Sequence, residues 1–286
     1  MQSTPIRQLA PYLWVASSRF YYNSGILLSQ GKAAIIDPGM ADDEVLAIRE
    51  FIESKQVTLE AIILTHSHPD HILGPRHLPG VPIYAHTSFA PESVKELASL
   101  VKAFDYWAGQ ENFNLVVPFS LPTPDFTLSD GADFTVGDLT LSVRYFPGHA
   151  PDLISLYHQE SRLMWASDML SDRVIPIIQH SLPQYEQTLA RLAELDIDVL
   201  IPGHGEIASN TSEVKKRLDE DRAYLAELHE RIETAVKAGK SLEETQAACS
   251  SMDFKERDWN QGGHSRNIQW AWKEFSGLPV STGDLQ

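Results

Sequence analysis

The chain has 286 residues, 43 % of them hydrophobic, enough for one large core or two smaller ones. Its net charge of −16 repels polyanions and argues against a nucleic-acid or anionic-membrane partner. A single cysteine, Cys249, excludes an internal disulfide framework and a thiolate zinc site, and reads as a small core residue on a helix.

Short apolar runs bounded by turn residues predict strands at Tyr12–Val15, Ile26–Leu28 and Ala33–Ile36, the last ending in Asp37-Pro38-Gly39. Asp43–Ser54 carries Val45, Leu46, Ile48, Phe51 and Ile52 at helical spacing. Strands follow at Ala61–Leu64 and Val81–Ala85, so the first third alternates strand and helix in the α/β manner. A helix is predicted over 91–107, and Tyr106–Pro124 reads as an insertion rich in aromatics, Asn and Pro.

Strands resume at Phe126–Leu128, Phe134–Val136, Leu139–Phe146, Leu153–Tyr157 and Leu163–Ala166. Helix Gln184–Leu195 and strand Val199–Ile201 repeat the earlier rhythm, without a residue-level repeat. The tail is helical over Ser212–Ala238, over Ser241–Ser250 with a capping box at its start, and over Arg266–Phe275, which Gly262-Gly263 precede as a flexible approach. Residues 1–210 are expected to form the catalytic domain, with 211–286 a helical extension packed on it.

His66, His68, Asp70 and His71 place four metal-ligand types within six residues. On a regular strand they would diverge, whereas a loop leaving the buried run Ile62-Ile63-Leu64 can turn them toward one point. Four ligands exceed one open tetrahedral catalytic site and fall short of two metals, so more are needed. His149 in Pro147-Gly148-His149, Asp168 in Trp165-Ala166-Ser167-Asp168 and His204 in Pro202-Gly203-His204-Gly205 each follow a predicted strand. Functional residues of α/β sheets gather at such carboxyl ends. Imidazole and carboxylate donors without thiolate suit Zn²⁺ first, with Fe²⁺ and Mn²⁺ as alternatives.

In this combination and order, the motifs Thr65-His66-Ser67-His68-Pro69-Asp70-His71, Pro147-Gly148-His149, Ser167-Asp168 and Pro202-Gly203-His204-Gly205 resemble those of the metallo-β-lactamase-fold hydrolases, and Ile36-Asp37-Pro38-Gly39 is similar to the family's early strand and turn. The resemblance covers residues 10–210 and implies an α/β fold, a four-layer αββα sandwich with its metals at one edge. It implies two divalent metal ions, the first held by His66, His68 and His149, the second by Asp70, His71 and His204, with Asp168 bridging them. Asp70 would also orient the metal-bridging hydroxide and pass a proton to the leaving group.

True class B1 β-lactamases carry Arg at the place of His71 and Cys at the place of Asp168, so the chain looks closer to the glyoxalase II and lactonase branches. It departs from those in having Ser167 where Gly is usual, Gly148-His149-Ala150-Pro151-Asp152 in place of Gly-His-Thr-Pro-Gly, and Ser171 where some lactonases have Tyr.

The expected function is dinuclear hydrolysis of a small ester, lactone or thioester. A small-molecule phosphodiesterase with the same metals, a non-catalytic ligand-binding regulatory member and an iron-dependent oxygen-using relative remain alternatives. The expected partner is a small-molecule substrate, with no nucleic acid and no membrane, and a homodimer is open. His77, His86, His158 and His180 read as structural histidines. Residues near His264 and Phe104, Tyr106 and Trp107 are candidates for a substrate cap, although ordinary packing is the simpler reading of both. If they form the cap, deleting 259–286 changes substrate preference more than metal content. The N-terminus lacks the charged and apolar blocks of a secretory leader and no apolar run reaches the roughly 18–20 residues of a membrane span, so a cytoplasmic protein is expected.

Overall fold

The computed structural model describes residues 4–91 and 120–280. The expected helix over 91–107, from residue 92 on, and the insertion up to residue 119 lie outside the described residues. The chain is mixed α/β, with two sheets and a C-terminal helical region, and divides into two compact units.

The first unit comprises residues 1–145 and 152–159. Strands β1 (Ile6–Ala10), β2 (Leu13–Ser17), β3 (Asn23–Ser29), β4 (Lys32–Ile36), β5 (Thr58–Ile63), β6 (Ile83–His86) and β7 (Phe126–Leu128) form a seven-stranded sheet in that order. The first four pair antiparallel through hairpins, and β4 through β7 pair in parallel. Parallel strands need crossovers, and α1 (Asp42–Ser54) supplies the one from β4 to β5.

Register aligns Ile26 with Ile35, Ile35 with Ile62 and Ile62 with Ile83, a row of β-branched side chains across four strands. Val45, Ile48 and Ile52 of α1 cover that row, which is why the helix repeats at this spacing. Strands β8 (Asp133–Val136), β9 (Leu139–Tyr145) and β10 (Ile154–His158) add an antiparallel ladder. Asp138 at the β8–β9 turn bonds Ser29 and, at 3.0 Å, Gln30 of the β3–β4 turn. Strand β1 is absent from the sequence reading because its pattern is mostly half-exposed and polar.

The second unit comprises residues 146–151 and 160–286. Strands β11 (Leu163–Ser167) and β12 (Val199–Pro202) pair in parallel, joined through a helix, α3 (Leu182–Leu192), in a βαβ crossover. Every residue of β11 is buried, as a parallel strand covered on both faces requires. Helices α4 (Thr211–Lys237), α5 (Leu242–Cys249) and α6 (Arg257–Phe275) complete the unit. Asn210 caps α4, and Ser241 with Glu244 forms the expected capping box of α5. Helix α6 starts nine residues before its predicted onset at Arg266. Gly262 and Gly263 lie inside it, and a side chain on Gly263 would come within 2.9 Å of Ile177 Cδ1. The glycine there makes room for close packing and is no hinge.

Candidate metal centre

In the first unit the motif leaves the carboxyl end of β5. His66 lies in the bend that follows, His68 sits on extended backbone, and Pro69 opens a four-residue helical turn, α2 (Pro69–Ile72), which carries Asp70 and His71. His66, Asp70 and His71 are 0–3 % exposed. Imidazole and carboxylate groups are this buried only when their polar atoms are committed.

Those commitments fix the tautomers. Asp37 accepts the Thr65 amide at 2.8 Å and the Thr65 hydroxyl at 2.7 Å. With its proton given to Asp37, Thr65 Oγ1 accepts from His66 Nδ1 at 3.2 Å, which places the ring's lone pair on His66 Nε2. That lone pair lies 2.9 Å from His68 Nδ1. Asp37 Oδ2 also lies 3.0 Å from His71 Nδ1, which places the ring proton there and leaves the lone pair on His71 Nε2, 3.4 Å from Asp70 Oδ2. The His66 and His71 rings are 4.0 Å apart between centroids.

In the second unit His149 follows the Pro147-Gly148 turn, Asp168 follows β11 and His204 follows β12. Asp168 Oδ2 stands between two imidazoles, 3.4 Å from His149 Nε2 and 3.1 Å from His204 Nε2. His149 Nδ1 donates to the Ile177 carbonyl at 2.8 Å, so its Nε2 lone pair faces the carboxylate. The approach of the strand ends depends on glycine. A Cβ on Gly203 would lie 2.1 Å from Asp168 Oδ1, and one on Gly148 would lie 2.4 Å from Tyr185 Cα. Ser167 and Leu170, on either side of Asp168, have φ of 55° and 56°, left-handed values that cost a non-glycine residue energy.

Each unit therefore brings its own predicted ligands together, His66, His68, Asp70 and His71 in the first and His149, Asp168 and His204 in the second. In both, imidazole nitrogens and carboxylate oxygens lie 2.9–3.4 Å from one another. Such a set needs positive charge, as protons on the imidazoles or as cations among them. Four imidazole or carboxylate donors in one unit and three in the other suit divalent ions of the zinc, iron or manganese type.

Sequence reasoning missed two carboxylates of the first unit. Asp37 reads as a turn residue, although a non-glycine in left-handed conformation (φ 48°) at a strand's carboxyl end is the kind of place where strain serves a site. Asp152 is fully buried, and burial pushes its carboxyl up to about 6, opposed by a hydrogen bond from Ser67 and the charge of His71. His77 meets Asp42 at 3.0 Å, His86 stacks on Tyr145 at 4.0 Å, His158 bonds the Tyr12 hydroxyl at 3.0 Å, and the His180 carbonyl accepts from Trp270. His264 is 2 % exposed and bonds the Tyr224 hydroxyl at 3.0 Å, so it packs the interior of its unit. Phe104, Tyr106 and Trp107 lie outside the described residues. No described helix is long and apolar enough to cross a membrane.

Similarity to known proteins agrees with this geometry. The chain is 32 % identical over 144 residues to an uncharacterized protein of Aquifex aeolicus, covering 49 % of this chain and 60 % of that one. It is 25 % identical over 189 residues to a hydroxyacylglutathione hydrolase of Francisella tularensis subsp. novicida, covering 65 % and 63 %. The chain thus spans about three-fifths of the length of the curated relatives it matches. Among solved structures, a beta-lactamase domain protein of Burkholderia ambifaria superposes with a TM-score of 0.68 at 18 % identity, covering 96 % of this chain and 89 % of that one. A stereoselective inverting sec-alkylsulfatase of Pseudomonas sp. superposes with a TM-score of 0.78 at 16 % identity, covering 98 % and 51 %. At these identities the structures speak for the fold alone. The family model of the metallo-beta-lactamase superfamily matches residues 18–204, a span that holds all seven predicted ligands, and the chain belongs to that superfamily.

Proposed function

We propose that the protein is a dinuclear metal hydrolase that cleaves a small ester, lactone or thioester, with Zn²⁺ as the first choice of ion. His66, His68 and His149 would hold one ion, Asp70, His71 and His204 the other, and Asp168 would be shared. The observation that carries the reading is the Asp168 carboxylate between the Nε2 atoms of two imidazoles, at 3.4 and 3.1 Å. A carboxylate with an imidazole on either side supports a ligand shared between two cations.

Bound ions would supply Lewis acidity and a water that ionises near neutral pH. The chain's own residues do the rest. Asp37 and the Ile177 carbonyl hold His71 and His149 in the tautomer that presents Nε2. Asp70 Oδ2, buried beside His71 Nε2, would orient the attacking water, hold its proton and release it to the leaving group. No serine or cysteine nucleophile is required. The relatives named as hydroxyacylglutathione hydrolases support an acyl substrate, since an acylglutathione is a thioester. The net charge of −16 favours a small substrate over a polyanion.

Elemental analysis, combined with a panel of chromogenic esters, lactones, thioesters and phosphodiesters, tests this. Two metals per chain, acyl hydrolysis, and its loss in Asp168→Ala are expected. Metal-free protein, or wild-type rates in both His66→Ala and Asp168→Ala, would overturn the proposal. Turnover confined to phosphodiesters would replace the substrate class and leave the metals in place.

A further inference from the structure

The segment 173–178 runs between α6 and the turn that carries His149, and it belongs to neither helix nor sheet. Its backbone groups still need partners. Asn267 of α6, with 0 % exposure, accepts the Ile178 amide at 2.8 Å and donates to the Pro176 carbonyl at 2.7 Å. Two turns earlier, Asn260 accepts the Ile175 amide at 3.3 Å and donates to the Arg173 carbonyl at 2.7 Å. Each side-chain amide thus bonds an N–H and the C=O two residues before it, as a neighbouring strand would. Asn267 brackets Ile177, and the Ile177 carbonyl accepts from His149 Nδ1 at 2.8 Å. Residues 179 and 181 then bond the carbonyls of His149 and Gly148, so the segment follows the His149 turn.

We propose that Asn267 is a positioning residue for His149. Its amide takes the place of a missing strand at residues 176–178 and so fixes the carbonyl that sets the tautomer and direction of the His149 ring. The Tyr224 hydroxyl, 3.0 Å from Asn267 Nδ2, and the packing of Gly263 on Ile177 hold the clamp in place. The consequence for metal binding rests on the function proposed above, whereas control of the ring does not. The C-terminal helix is thereby tied to a metal ligand, and its removal should cost metal content as well as any substrate preference.

The test uses the full chain. In metal-free protein, ¹⁵N shifts of the His149 ring should report the Nδ1–H tautomer in the wild type and a mixture with Nε2–H in Asn267→Ala. Zinc affinity, by competition with a chromophoric chelator, should fall about 10–100-fold in Asn267→Ala. Asn260→Ala is the control, since it removes the same kind of clamp from residues 173–175 and should lower the melting temperature without changing the His149 tautomer. If Asn267→Ala fails to fold, Asn267→Asp keeps the acceptor for Ile178 and loses the donor to Pro176, and should move the tautomer in the same direction. In the wild type, the Ile178 amide should exchange slowly with solvent. An unchanged tautomer in a folded Asn267 variant, an equal shift in Asn260→Ala, or Ile178 exchange at the rate of an open loop would overturn the clamp. A tautomer shift in Asn267→Ala, together with a wild type that binds none of Zn²⁺, Fe²⁺ and Mn²⁺, would uphold the clamp and sink the dinuclear reading.

Discussion

Asp37 Oδ2 lies 3.0 Å from His71 Nδ1 while the same carboxylate accepts both the amide and the hydroxyl of Thr65. One buried side chain therefore sets the ring of a predicted ligand directly and, through Thr65, the ring of His66. Asp37→Ala should weaken metal binding about 10–100-fold, the usual effect of losing an outer partner of a metal-binding histidine. It should also cost about 1–3 kcal/mol of stability, because the Thr65 amide is left buried without its acceptor. Chelator competition and thermal melting of the metal-free chain separate the two effects. Unchanged metal affinity would mean that the ring holds its direction by packing alone.

Gly203 sits where a methyl group would be 2.1 Å from Asp168 Oδ1. Gly203→Ala must displace the carboxylate or the loop. A shift of that size can cost about 100-fold in rate when the displaced group organises the reaction. Hydrolysis should fall by that order, with an overpacking cost of about 1–3 kcal/mol. Wild-type turnover in a folded Gly203→Ala variant would show that Asp168 does not need this position.

Arg217 of α4 is 3 % exposed and joins the two ligand loops of the second unit. It donates to the Leu170 carbonyl at 3.3 Å and the Glu206 carbonyl at 2.7 Å, each two residues beyond a predicted ligand, Asp168 and His204. Both bonds leave Nη1 while Nη2 bonds the Glu213 carboxylate, and lysine has no second nitrogen with which to keep all three partners in this geometry. Arg217→Lys should therefore lose metal affinity along with stability, read by the same chelator titration. Full retention of affinity would limit Arg217 to a folding role.

The parts legible in the sequence are those that repeat a local rule. Apolar runs such as Ala33–Ile36 and Ala61–Leu64 mark buried strands, and Ser241 with Glu244 marks a helix start, because each signal is complete within a few residues. The ligand motif is legible for the same reason, as four donor residues sit within six positions. What stays hidden is contact between distant segments. Asp37 is 34 positions from His71, and Asn267 is 90 from Ile177, so neither spacing announces a partner. Gly262-Gly263 misleads because a glycine pair usually signals a break, whereas α6 runs through it to pack on Ile177.

Ser167 is fully buried and has φ of 55°. A β-branched residue is a poor occupant of left-handed backbone. Ser167→Val should cost about 1–3 kcal/mol, whereas Ser167→Gly should fold with a melting temperature at or above that of the wild type. The comparison isolates backbone strain because both variants lose the hydroxyl. Equal losses in the two would assign the cost to the hydroxyl's bonds instead.

Asp221 of α4 supplies the pH dependence. It is 1 % exposed and lies 2.6 Å from Lys255 Nζ, which also donates to the Ser171 carbonyl at 2.7 Å. Burial pushes its carboxyl up to about 6, against the pull of Lys255. The folded chain then holds a proton that the unfolded chain, with a carboxyl near the ordinary value of about 4, has already released. Between those values the unfolded state binds fewer protons, so this group's contribution to stability falls as pH rises from about 4 to about 6 and is level outside that window. In the metal-free chain, where ligand protonation is common to both proteins, the stability of the wild type minus that of Asp221→Asn should decline over this interval. A difference that rises with pH would mean that the ion pair with Lys255 outweighs burial and holds Asp221 below its ordinary value. The direction of that slope therefore decides whether α4 docks on the ligand loops through a charge pair or through a carboxyl that folding tends to neutralise.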